Sequence, residues 1–188
     1  MSQHESAAAD PLEKLRGALK SQYHATLAML RQAVEICPDD LWASREVENP
    51  YWRVAYHTLY YTHLYSQSRA EDFRAWEHHQ TNIQHMDDVP GPPEIEALLE
   101  LPHRPPQTGV PYTKAELLDY WAFCDASIDA AVDALDLMSP HSGFSWSGAS
   151  KMEHQLSSLR HIQHHTAQLS DRLRAATGSA VDWVGRRP

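Results

Sequence analysis

Apolar side chains recur at spacings of three and four along most of the chain, the signature of helices that bury one face. Leu12, Leu15, Leu19, Tyr23, Leu27, Leu30 and Val34 form one such stripe. Asp10 followed by Pro11 supplies a cap and a first-turn proline, so a first helix is predicted from there to a stop at Cys37-Pro38. Tyr23 and Thr26 put hydroxyls near that stripe. A second helix is predicted to open at Asn49-Pro50 and to run at least to about Ser68, with continuation toward Trp76 open. Its inward stripe reads Val54, His57, Tyr60, Tyr61, Leu64, and Arg53 lies one turn before His57.

Residues 69–112 break the pattern. Seven of the twelve prolines fall between 90 and 111, and only 94–101, after Pro93, has room for a helical turn or two. So long a connection inside a compact domain suits a crossover along a bundle. Thr113-Lys114-Ala115-Glu116 is a capping box that opens a third helix, ending near Leu137, with Leu117, Trp121, Cys124, Ile128, Ala131, Val132 and Leu135 inward. Ser150-Lys151-Met152-Glu153 is a second box, and the helix it opens reaches Gly178.

The expected architecture is all-α: a four-helix bundle over residues 10–176 with a long crossover, 69–112, between the second and third helices. The first and second helices should form one antiparallel hairpin, and the third and fourth another across a short loop. Residues 1–9 are expected to be a disordered tail and 177–188 a C-terminal tail that docks on a bundle end or trails in solvent.

Composition narrows the function. A length of 188 residues suits one domain, and 42% hydrophobic with 22% charged residues is ordinary globular usage. The formal charge of -9 has the wrong sign for neutralising phosphates, which argues against nucleic acid. No apolar run approaches the ~18 residues of a membrane span, and MSQHESAAAD lacks the basic and apolar regions of a secretory signal, so a cytoplasmic protein without membrane contact is expected. Cys37 and Cys124 stand far apart with no C-x-x-C pair, pointing to two idle or buried thiols.

Histidine is the unusual component, thirteen residues in all. His161 and His165 are four apart on the fourth helix, so their rings share a face and can share a metal ion; hydrogen-bonded core or surface histidines are the bland alternative. A third ligand must come from another helix. His57 is the best-placed candidate, because it sits in an apolar-aromatic face where an imidazole needs a partner. His63 is out of phase with His57 and reads as a surface residue, as does His164. His154 lies on the stripe of His165 but about 16 Å below it at the helical rise, too far to share an ion. His78, His79, His85, His103 and His141 fall in or near loops and read as mostly solvated, although one can close over the site. A di-iron bundle would need Glu-x-x-His on two helices, and only Glu100-Leu101-Pro102-His103 has that spacing, interrupted by proline. H-E-x-x-H, the P-loop and G-x-G-x-x-G are all missing.

An inward histidine on the second helix, a long crossover, and a fourth helix carrying RHIQHHTAQL together resemble the DinB/YfiT-like superfamily of metal-binding four-helix bundles. The resemblance covers about residues 10–176. It implies His57, His161 and His165 as ligands of a divalent metal, with Gln168-Leu169 matching the Gln-Leu or Gln-Ile that often follows the last ligand. Thr166-Ala167 stands where many members have Arg-Gly, so the role of that arginine is not carried over. The resemblance also suggests a homodimer.

Three histidines leave at least one coordination position for water or substrate, the arrangement of catalytic sites. Arg53, Tyr61 and Tyr23 are the candidates for positioning developing charge beside the ion. Zinc or nickel is the first expectation for the metal, with iron, cobalt and manganese also accepted by such a site. The expected function is a metal-dependent enzyme acting on a small molecule, a transferase using a low-molecular-weight thiol or a hydrolase. The alternative is a non-catalytic metal-binding bundle with a structural, sensor or interaction role, and a metal-free bundle is the third possibility.

Overall fold

The computed structural model describes residues 10–86 and 109–188, and within them every regular element is helical. The elements are α1 (Pro11–Ile36), a single turn α2 (Asp39–Trp42), α3 (Tyr51–Tyr65), a 3-10 turn at Ala70–Asp72, α4 (Lys114–Ala134) and α5 (Lys151–Thr177). The expected tail 1–9 and the expected turn at 94–101 lie outside the described residues. No described helix is long and apolar enough to cross a membrane.

Three of the four long helices begin where local chemistry dictates. Asp10 Oδ1 accepts from the Leu12 amide at 3.1 Å, with Pro11 already in place behind it. At α4 the full capping box forms: Thr113 Oγ1 accepts from the Glu116 amide at 3.2 Å, and Glu116 accepts from the Thr113 amide at 2.7 Å. These donors hold the Glu116 carboxyl below its ordinary range. Ser150 accepts from the Glu153 amide at 3.3 Å, and α5 ends on Gly178 in the left-handed conformation that glycine adopts without strain. The start of α3 differs from expectation. Pro50 itself is the cap, while the Asn49 side chain turns away and donates to the Met86 carbonyl at 2.9 Å.

The packing order departs from two hairpins. Helix α1 packs against α4 and α5, and α3 packs against the same two, so α1 and α3 face each other across a diagonal, as do α4 and α5. Contacts at both ends fix the directions. Arg16 near the start of α1 donates to the Leu135 carbonyl at 2.8 Å, and Lys114 meets Asp39 just past the end of α1 at 2.6 Å, so α1 and α4 are antiparallel. Arg172 donates to the Asn49 carbonyl and Gln155 to the Tyr65 carbonyl, so α3 and α5 are antiparallel too. Tyr112, just before α4, packs on Trp52 and Tyr56 near the start of α3. The neighbours α3 and α4 therefore run the same way, and the chain between them has to return the whole length of α3, about 22 Å at the helical rise. The connection predicted to be short between α4 and α5 is residues 135–150, because it must cross a diagonal.

Helix α3 is shorter and more deeply placed than its pattern suggests. It ends at Tyr65, with Ser66 as its C-cap, rather than near Ser68. Twelve of its fifteen residues are buried, because segment 73–86, Tyr112 and α4 cover the flank that a bundle helix would give to water. Thr58 and Thr62 satisfy their hydroxyls by donating to the carbonyls one turn back, both at 2.7 Å. Leu15, expected inward on α1, is 44% exposed. Both cysteines are buried and free.

The C-terminal tail does not trail. It folds back over α1: the Val181 amide donates to Ser170, the Asp182 amide to Gln32 and the Arg187 amide to Ser21. Arg187 then reaches across to Asp129 of α4 at 2.9 Å.

Candidate metal centre

His57 projects from the middle of α3, and His161 and His165 project from consecutive turns of α5. Because α3 and α5 are antiparallel neighbours, the three rings meet. His57 Nε2 lies 3.0 Å from His161 Nε2, which lies 3.1 Å from His165 Nε2. One nitrogen from each ring falls within 4.8 Å of the other two, and among the described residues this is the one such cluster of metal-ligating side chains. The three predicted ligands are thus brought together.

Two of the rings are oriented from behind. His57 Nδ1 is 2.6 Å from the Gln84 carbonyl, and His165 Nδ1 is 2.8 Å from Gln168 Oε1. A carbonyl oxygen can only accept, so His57 Nδ1 carries the proton and Nε2 the lone pair, and an amide oxygen on Gln168 sets His165 the same way. The two contacts made by His161 Nε2 then have at most one proton between them. Protonating the rings further is opposed first by burial and then by neighbouring histidines, His161 and His165 for His57, His165 and His164 for His161, and His164 for His165: the pKa of His57 is held well below its ordinary value, that of His165 is lowered, and that of His161 falls to about 3.

These features fit a divalent ion. An ion held tetrahedrally by nitrogens at ~2.0–2.1 Å would separate them by roughly 3.3–3.4 Å, near the spacings seen here. Neutral imidazoles whose far nitrogen donates to a carbonyl are also the usual form of metal-ligating histidine.

The other candidates divide. The Tyr61 ring lies against the cluster, 4.7 Å from the His57 ring and 5.6 Å from that of His161. Arg53 is buried, and its Nε donates to the Ile83 carbonyl at 3.2 Å, on the segment that also supplies Gln84. Tyr23 is fully buried, and its hydroxyl donates to Gln155 Oε1 at 2.8 Å, six residues before His161 on α5. Desolvation raises its phenol well above the ordinary range.

Several histidines differ from expectation. His63 is buried rather than on the surface; its Nδ1 lies 3.2 Å from the Tyr120 hydroxyl, and Phe73 and Phe123 pack on its ring. His79, in the loop, sits against the Tyr56 hydroxyl at 2.5 Å. His154 is buried between Tyr65 and Phe144, with Nε2 unpartnered. His24, not singled out by the pattern, lies between Asp125 and Asp129 at 2.6 and 3.0 Å. His164 is exposed, as its phase predicts, and His103 lies outside the described residues.

Sequence reasoning missed the role of the Gln84 carbonyl. Nothing in the residue type at 84 signals it, since any residue offers a carbonyl there. Gln168 entered the sequence reading only through the resemblance, as part of the Gln-Leu pair after the last histidine, and its contact with His165 was not foreseen. Comparison of the chain with family models, with curated proteins and with solved structures finds no match, so the reading of this centre stands on its own residues.

Proposed function

We propose that the chain binds one divalent metal ion through His57, His161 and His165 and acts as a metal-dependent enzyme on a small molecule. The observation that carries the reading is the meeting of three Nε2 atoms, two of them on rings whose Nδ1 is already committed to an oxygen acceptor. The resemblance to the DinB/YfiT-like superfamily points the same way. It gives the narrower proposal of a thiol-dependent S-transferase or a hydrolase, with zinc or nickel as the first ions to try.

When bound, such an ion supplies Lewis-acid chemistry, lowering the pKa of a water or thiol or polarising a carbonyl. The chain's own residues set the conditions for it. Gln84 and Gln168 hold the Nδ1 protons of His57 and His165, and burial keeps the rings neutral at pH 7. Three protein ligands leave a fourth position for substrate. The Tyr61 ring packs beside His57 and His161 and forms an aromatic wall on that side of the rings.

A second reading, a non-catalytic clamp, is favoured by the ligands coming from two helices, since one ion would tie α3 to α5.

Elemental analysis of protein purified without a metal-affinity step tests the first claim. About one metal ion per chain, lost in the triple variant His57→Ala, His161→Ala, His165→Ala, is expected. No metal in the native chain, even after incubation with zinc, nickel and manganese salts, sinks it. Thiol-transfer and hydrolytic assays of the loaded protein then separate enzyme from clamp.

A further inference from the structure

The segment facing His57 is pinned to α3 at successive points. His79 meets the Tyr56 hydroxyl, Arg53 Nε donates to the Ile83 carbonyl, His57 Nδ1 to the Gln84 carbonyl, and Asn49 to the Met86 carbonyl. Arg53 and His57 are one helical turn apart, and their acceptors are consecutive carbonyls. Consecutive carbonyls of an extended segment point to opposite sides, and these two can face one helix because residues 81–84 form a turn. The Ile83 amide closes that turn on the Gln80 carbonyl at 3.3 Å, and the chain passes through it at Asn82, whose φ of 63° is the non-glycine positive φ recorded among the described residues. Asparagine tolerates that conformation, whereas β-branched residues do not.

We propose that Arg53 is a positioning residue for the metal centre: by holding the Ile83 carbonyl it sets the 82–86 strap so that the Gln84 carbonyl takes the Nδ1 proton of His57 and leaves Nε2 as the ligand atom. The affinity part of this proposal rests on the metal-binding reading; the tautomer part does not. Arg53 is a buried cation on the strap side of α3, and its aliphatic stem packs in the core. Its Nε contact fixes a peptide rather than a substrate. His165 provides an internal comparison, because its Nδ1 is held by Gln168 of its own helix, out of reach of the strap.

The test uses full-length metal-free protein labelled with ¹⁵N-histidine, in which long-range ¹H–¹⁵N spectra report the tautomer of each ring. Native protein is expected to show His57 with the proton on Nδ1. Arg53→Met, which keeps the stem and removes the donor, is expected to give a mixture of tautomers at His57 with His165 unchanged. Its affinity for zinc, measured by chelator competition, should fall about 10–100-fold at unchanged stoichiometry. Asn82→Val offers an independent route to the same His57 change should Arg53→Met fail to fold, while Asn82→Gly should leave His57 as in the native chain.

A His57 tautomer unaltered in Arg53→Met, or in Asn82→Val where that is the variant that folds, overturns the proposal, as does an equal change at His165, which would mean general loosening. Native protein that takes up no zinc but shows the expected tautomer shift removes the metal reading and leaves the positioning role standing.

Discussion

Gly143 and Ser68 meet backbone to backbone: a β-carbon at position 143 would stand 2.2 Å from the Ser68 carbonyl oxygen. The glycine is also in the left-handed region, at φ 88°. Its own carbonyl accepts from the Ala70 amide at 3.1 Å, and Lys151 donates to the carbonyls of both Ser68 and Ser142. The loop after α4 is thus docked on the loop after α3. Gly143→Ala should destabilise the protein by roughly 1–3 kcal/mol, from clash and backbone strain together. Urea unfolding reads this directly, and a variant with the native midpoint would show that the two loops part without cost.

Acid should weaken the fold early. The pKa values of His57, His63, His154, His161 and His165 are all lowered with burial as the leading cause, to about 4 for His63 and His154 and about 3 for His161. In the unfolded chain these rings titrate near ~6.5. As pH falls from there the unfolded state takes up protons first, so stability is present in full above about 6.5 and is lost progressively down to the folded values. The urea midpoint of metal-free protein should be nearly flat from pH 8 to 7 and drop steadily from 6.5 to 4.5. His154→Leu should shallow that slope while changing stability at pH 7 by about 1 kcal/mol or less, because the Nε2 it removes has no partner.

A bound ion should act in the opposite sense. Zinc at a hundredfold excess over its dissociation constant is expected to add about 2.7 kcal/mol. Chelator should reverse the gain, and so should acid once the pH approaches the lowered values of the folded rings, where protons compete for them. Gln168→Ala, which removes the acceptor from His165 Nδ1, should weaken zinc by about 10–100-fold without changing the far-ultraviolet circular dichroism. Equal affinity in the variant would remove Gln168 from any role in orienting the ring.

The tail should come loose through one carboxylate. Asp129 accepts from both Arg187 and His24, which hold its pKa below the ordinary carboxylate range. Asp129→Asn removes the charge that Arg187 reaches for. Hydrogen exchange at the Arg187 amide should then quicken at least about tenfold, with the Val181 amide, held separately by Ser170, much less affected.

Helix existence and the three histidines that meet were both readable from spacing. His57, His161 and His165 stood out because each sits at a defined phase on a strongly patterned helix. Burial of His63 was not readable, since phase tells which residues share a face and not whether a second layer covers the opposite one. Here Phe73 and α4 cover it. The pairing of helices was misjudged for a related reason. Loop length argues for antiparallel neighbours, but the contact of Tyr112 with Trp52 and Tyr56 puts the start of α4 beside the start of α3, and no local pattern announces a contact of that range. Arg53 was singled out for its nearness to His57, and its observed partner is a backbone carbonyl that no residue type reveals.

The diagonal arrangement has a kinetic consequence. Since α1 touches α3 only sparsely and the last two helices meet less still, neither half of the chain has an extensive helical hairpin of its own to form first. Contacts must instead be made between segments far apart in sequence, which slows the search relative to an up-and-down bundle of similar size. His57 and His161 are 104 positions apart, so during synthesis an early α3 can hold no shared ligand sphere until α5 has emerged. Uptake of an ion by the refolding chain would therefore be a late event, coincident with the closing of the last helix, and the rate of metal capture would serve as a clock for completion of the fold.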